Sequence, residues 1–172
     1  MSGEHLAGER PLPPPERLRA LMLDAAREGR DDVIPALLHA GVDPDCRDAR
    51  GYTPVILASY HGHEAATALL LQAGAEVDAV DGRGSNALMG TSFKGYAPLA
   101  RRLIEAGSDV NLRNLAGQTA LMIAALFGRA GIVEMLVEAG AERGAADIAG
   151  NTAAGLARMQ GNDDLALRIE AA

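Results

Sequence analysis

The chain has 172 residues, 48% hydrophobic and 23% charged, which excludes wholesale disorder and fits one ordinary domain. A formal net charge of −7 argues against general affinity for nucleic acid or an acidic membrane. The single cysteine, Cys46, excludes an internal disulfide and fits the reducing cytoplasm.

Residues 1–14 are Pro-rich and lack periodicity, so they read as a flexible tail with no secretory-signal pattern. Its PLPPP stretch has the composition of a polyproline ligand, but the preferred reading is a simple leader into the first helix. No apolar run approaches the roughly 20 residues of a membrane span. From residue 15 onward a strict period takes over. Glycines recur every 33 residues at 29, 62, 95, 128 and 161, with two further series at 41, 74, 107 and 140 and at 51, 84, 117 and 150. Apolar positions keep step: Leu37, Leu70, Leu103, Leu136 and Ile169 form one column, and Val33, Ala66, Leu99, Ile132 and Leu165 another.

The period divides residues 15–172, read as one domain, into units 15–47, 48–80, 81–113, 114–146 and 147–172, the first and last being caps. In the 48–80 unit Thr53 is a good N-cap and Pro54 suits the first helical position, where a missing N–H costs nothing. A short helix to about His61 is expected, closed by Gly62, then a second from Glu64 to Ala73, with Leu69 and Leu70 on its buried side and Gly74 ending it. Asn86, Thr119 and Thr152 keep the capping side chain in later units. Two short helices cannot bury their own apolar face, so the units must stack. The expected fold is an all-α solenoid. In the 81–113 unit Gly90, Thr91 and Ser92 replace better helix formers, so 86–95 is expected to exchange amide hydrogens faster than 119–128.

Candidate chemistry is sparse. Gly82, Gly84 and Ala87 fit the loose dinucleotide pattern G-x-G-x-x-A, but they occupy repeat positions with no strand before them. His61 and His63 lack enough nearby ligands for a metal. Asp48, Asp81 and Asp147 recur at one repeat position, which reads as turn capping through Asx hydrogen bonds rather than acid–base catalysis. The only lysine, Lys94, follows no phosphate loop. Cys46 falls in a turn and is expected to be exposed. Neither catalysis, a cofactor nor a metal is expected.

The segments DARGYTPVILASYHGH, DGRGSNALMGTSFKG, NLAGQTALMIAALFG and DIAGNTAAGLARMQG, with their downstream leucines, resemble the ankyrin repeat family. The resemblance covers residues 15–172 and implies helix-turn-helix units joined by turn or hairpin fingers. Two departures stand out: Ile56, Met89, Met122 and Gly155 replace the family's motif histidine, and Asn114 stands where other units have aspartate. The resemblance further implies a non-enzymatic module that binds a partner protein on a concave face of fingers and inner helices. Carried over by position, that face comprises finger residues Arg47, Arg50, Tyr52, Arg83, Ser85, Arg113, Leu115 and Gln118. The inner-helix ends add Tyr60, His61, Phe93, Lys94, Leu126 and Phe127. Four of the five aromatics fall here, and aromatics and arginine are enriched at interface hot spots. The positive charge on this face would steer an acidic or amphipathic partner, unless the arginines pair with the turn aspartates as a solvated ladder. The competing function is a small-ligand or cofactor carrier with a pocket near Phe93, walled by Gly90 and Tyr60. A monomer is expected, and Arg-rich, Lys-poor composition points to a bacterial source.

Overall fold

The computed structural model describes residues 12–171; residues 1–11 of the expected Pro-rich tail lie outside them. The helices are α1 (Pro15–Glu28), α2 (Ile34–His39), α3 (Pro54–Tyr60), α4 (Glu64–Gln72) and α5 (Ala87–Lys94). They continue as α6 (Ala97–Glu105), α7 (Ala120–Leu126), α8 (Ala130–Glu138), α9 (Ala153–Met159) and α10 (Asp163–Ala171). The last proline of PLPPP opens α1 at its first turn, as a leader into the helix would.

Local chemistry sets these boundaries. Thr53, Asn86, Thr119 and Thr152 each accept a hydrogen bond from the backbone N–H three residues on, at 3.4, 3.0, 3.3 and 3.2 Å. Such caps contribute on the order of 1 kcal/mol apiece. Asn86 does more than its threonine counterparts, because its Nδ2 also donates to Asp78 Oδ1 at 2.9 Å. After α3 the chain reverses through Gly62 at φ +83°, a left-handed turn that suits glycine.

Stacking produces two layers. Helices α1, α3, α5, α7 and α9 pack side by side as an inner row, and α2, α4, α6, α8 and α10 form an outer row against it. The core runs between them. Leu37, Leu70, Leu103, Leu136 and Ile169 are all buried, so the column expected from the period is one continuous apolar spine. Two details differ: Leu69 is only half-buried while Thr67 takes the interior place, its hydroxyl donating to His63 O at 2.8 Å. Val33 is also half-buried, since α2 has a neighbouring unit on one side alone.

The fingers between helix pairs are built on one device. Asp48 Oδ1 accepts from Arg50 N at 2.8 Å and Tyr52 N at 3.0 Å, and Asp81 and Asp147 repeat the pattern. Asn114 performs the same role, accepting from Ala116 N and Gln118 N at 3.0 and 2.9 Å, because an amide oxygen serves an Asx turn as well. Successive fingers are then laced together. Asp45, Asp78 and Asn111 accept from the backbone N–H of Glu76, Asp109 and Glu142 at 2.9, 2.8 and 2.7 Å.

Cys46 corrects an expectation. It is buried against the core rather than exposed, and burial pushes its thiol up to about 11. A thiol so rarely ionised is a poor nucleophile.

In α5 the buried hydroxyls of Thr91 and Ser92 both bond back to Leu88 O, at 3.0 and 2.8 Å. Back-bonding of this kind weakens a helix slightly, and Gly90 weakens it further. Amide exchange in 87–94 is therefore expected to be faster than in 120–126; equal protection by mass spectrometry would contradict this.

Candidate interaction groove

The C-terminal ends of the inner helices and the finger tips flank an open groove of about 710 Å³. Its wall is a run of rings. Tyr60 and Phe93 lie parallel with centroids 6.3 Å apart, and Phe93 meets Phe127 edge-on at 4.7 Å. Tyr60 lies over Gly90, where a Cβ would sit 3.4 Å from the tyrosine Cδ2, an ordinary van der Waals contact. These rings keep 38%, 39% and 44% of their surface exposed at Tyr60, Phe93 and Phe127. Water thus reaches a contiguous apolar surface that the fold itself leaves uncovered.

The opposite wall comes from the fingers. Leu115 and Ile148 stand at corresponding tips, 77% and 81% exposed. Tyr52, Ser85, Gln118 and Leu126 are only half-exposed and line the sides. Asn114 Nδ2 ties Gln118 Oε1 and Ser85 Oγ together at 3.3 and 3.5 Å, giving a fixed polar edge. Sequence reasoning placed Leu115 here but missed Ile148, and outside the groove lining it also missed Met159, both large, apolar and exposed. The signal was present: Ile148 follows Leu115 by 33 residues, and Met159 follows Leu126 by 33.

The cations divide into two kinds. Arg47 Nη1 donates to Val80 O at 2.5 Å and Gly51 O at 3.2 Å, and Arg113 Nη1 donates to Ala146 O at 2.9 Å. Both guanidinium groups brace one finger against the next. Arg50 and Arg83 instead project from finger tips and form no ion pair among the described residues. The ladder of arginines paired with turn aspartates does not form, because those carboxylates are engaged by backbone amides. Lys94 Nζ lies 5.2 Å from the centroid of Tyr60 and 5.8 Å from that of Tyr96, a cation held over two rings.

Two residues beside the groove are structural. Tyr96 packs on Gly62, where a Cβ would come within 3.2 Å of its ring. His63 Nε2 donates to Arg27 O at 3.0 Å, since the carbonyl can only accept, and so ties α4 to the first helix pair. His61 is exposed at the groove's edge. Partial burial holds its pKa below the usual imidazole value, and the nearby His63, Arg27 and Lys94 push it the same way. The folded state thus binds this proton less tightly than the unfolded chain. Its contribution to stability is complete above the unfolded value of about 6.5 and declines as pH falls below it. The variant His61→Gln is expected to flatten the loss of Tm between about pH 7 and about pH 5.5; an unchanged slope would contradict the assignment.

Among the described residues, no group of three or more His, Cys, Asp or Glu side chains is placed to hold a metal ion, and no helix is long and apolar enough to cross a membrane. The chain belongs to the ankyrin repeat family, whose model for ankyrin repeats in three copies matches residues 21–114 and again 88–169. Members of this family generally mediate protein–protein interaction and are generally non-enzymatic. No curated protein matches the chain.

Proposed function

We propose that the chain is a non-enzymatic binding module that seats a partner protein in the groove between its finger tips and inner-helix ends. The observation that carries this reading is the clustering of Tyr60, Phe93, Phe127, Leu115 and Ile148. These are five of the nine large hydrophobic side chains exposed among the described residues, and all five line this one groove. Scattered exposed apolar residues need no explanation, whereas a contiguous patch does. The bracing of each finger by Arg47, Arg113, Asp45, Asp78 and Asn111 holds the face in place before binding, so little conformational entropy is lost on association.

The carrier reading would need a cavity that wraps most of a small ligand's surface. This groove is open along its length, with Tyr60, Phe93 and Phe127 each more than one-third exposed, which favours a macromolecular partner. The single buried cysteine is in keeping with the reducing cytoplasm. Exposed charges on the two terminal helices, Arg19 and Asp24 on α1 and Asp163 and Asp164 on α10, are in keeping with a monomer.

The test is a pull-down from lysate of the source organism. It compares the native chain with the triple variant Tyr60→Ala/Phe93→Ala/Phe127→Ala and with Arg101→Ala/Glu105→Ala on the outer row, all matched for thermal stability. A protein captured by the native chain and the outer-row variant, but lost from the triple variant, is the expected result. Equal capture by all three would remove the groove from consideration.

A further inference from the structure

We infer that the groove has two compartments that fix the order of chemistry along its ligand: a linear segment of a partner protein with carboxylates at one end and bulky apolar side chains at the other. This rests on the protein-binding reading and specifies its partner. The apolar trough is continuous with a second, smaller hollow of about 420 Å³, and Tyr52, Ile56 and Tyr60 line both. The smaller hollow is bounded by Arg27, Asp48, Arg50 and His61, and the larger by Asp81 and Arg83 of the next finger and then by Leu115, Phe127 and Ile148.

The division follows the repeat. The finger-tip column at 50, 83, 116 and 149 reads Arg, Arg, Ala, Ala. The neighbouring column at 82, 115 and 148 reads Gly, Leu, Ile, and the inner-helix column at 61, 94 and 127 reads His, Lys, Phe. The neighbouring column passes from small to apolar and the finger-tip column from cationic to small in the same direction, while the inner-helix column passes from polar His61 and cationic Lys94 to Phe127 before returning to Gln160. Carboxylates near the smaller hollow do not cancel its charge equally. Asp24 pairs with Arg27 at 2.6 Å, but Asp48 and Asp81 face the finger backbone, each accepting two amide N–H bonds through Oδ1. Arg50 and Arg83 remain as cations without an intramolecular partner among the described residues, one helix pair apart. Helix rows pack about 8–10 Å apart, so three steps span about 25–30 Å. An extended chain advances about 3.3 Å per residue, which makes the bound segment about eight or nine residues long. A peptide with charge at one end alone would satisfy both compartments in a single direction, and a basic peptide would be repelled from the first.

The experiment presents a displayed library of random peptides, each of about twelve residues, to the full-length chain. Enriched peptides are then measured by fluorescence anisotropy against the native chain, Arg50→Glu/Arg83→Glu and Phe127→Asp, with folding verified by thermal melting. The expected peptides separate an Asp/Glu cluster from a Leu/Phe/Met cluster. Their affinity is expected to fall about tenfold or more on either variant, and Lys in place of the acidic cluster is expected to restore binding to Arg50→Glu/Arg83→Glu. Peptides that depend on Phe127 but not on Arg50 and Arg83 would overturn the two-compartment order while leaving the binding face intact. Peptides indifferent to both variants would overturn the face as well. Failure to enrich any peptide, or a dimer of the native chain abolished by Phe127→Asp, would also overturn the inference, the dimer assigning the groove to a second copy.

Discussion

Replacing Leu103 with alanine is expected to destabilise the chain by about 2–5 kcal/mol. Leu103 is fully buried in α6, at the middle of the spine that runs from Leu37 to Ile169. Removing its branched end loses the transfer free energy of those carbons and leaves a cavity. Collapse into that cavity is restricted, since the fingers on both sides are laced by Asp78 to Asp109 and by Asn111 to Glu142. A solenoid adds a second effect. Each helix pair contacts only its neighbours, so a weak central pair uncouples the two halves as well as losing its own stability. Urea unfolding of Leu103→Ala should therefore show a lower midpoint and a broader transition. Leu37→Ala, at the end of the same column with a neighbouring unit on one side only, should lose less and stay cooperative. Equal losses at the two positions would contradict a spine whose middle carries the coupling.

Gly51→Ala is the second large effect, and Gly74→Ala is its control. Both glycines are left-handed, at φ +81° and +88°, where an alanine costs about 1–2 kcal/mol. They differ in surroundings. Nothing lies within 4 Å of a Cβ built on Gly74, whereas one on Gly51 would meet Gly82 N at 3.0 Å and the carbonyl carbon of Asp81 at 3.3 Å. Those atoms are backbone of the next finger and are held by the hydrogen bond from Gly82 N to Arg50 O at 2.9 Å. They cannot swing aside as a side chain would. Gly51→Ala is expected to lose at least about 1 kcal/mol more than Gly74→Ala, with added amide exchange in the finger around 81–86. Matching melting temperatures for the two variants would mean that the fingers are not in register contact.

The sequence announces local structure well because each local device has a cheap chemical signature. Thr53, Asn86, Thr119 and Thr152 cap their helices through side-chain oxygens, and Asp48, Asp81 and Asp147 close their turns, at the positions the period picks out. Exchange of Asp for Asn114 leaves the turn intact for the same reason. Contacts between units were less legible. Nothing in the type or spacing of Arg47 and Arg113 says that their guanidinium groups end on carbonyls 33 residues away rather than on carboxylates or in solvent. Their destination depends on the offset between stacked fingers, which the period does not encode. Cys46 is misread for a different reason, since a turn position reads as exposed although this one packs into the core. The candidate groove was half-visible. The aromatic positions were readable from the inner-helix register, but the exposure of Ile148 and Met159 was hidden by ordinary apolar composition, which elsewhere in the repeat means core. Comparing columns rather than segments separates the two, because Ile148 shares a column with Leu115 and not with the buried spine.

The most direct test of the central claim, that a partner protein seats between finger tips and inner-helix ends, is site-specific photo-crosslinking in cells of the source organism. A photoreactive side chain is placed at Leu115, at Ile148, or at Arg101 on the outer row, all three exposed positions. Irradiation is expected to yield one higher-mass adduct from both Leu115 and Ile148 and none from Arg101. An adduct formed from Arg101 while the two finger tips stay unmodified would contradict the account.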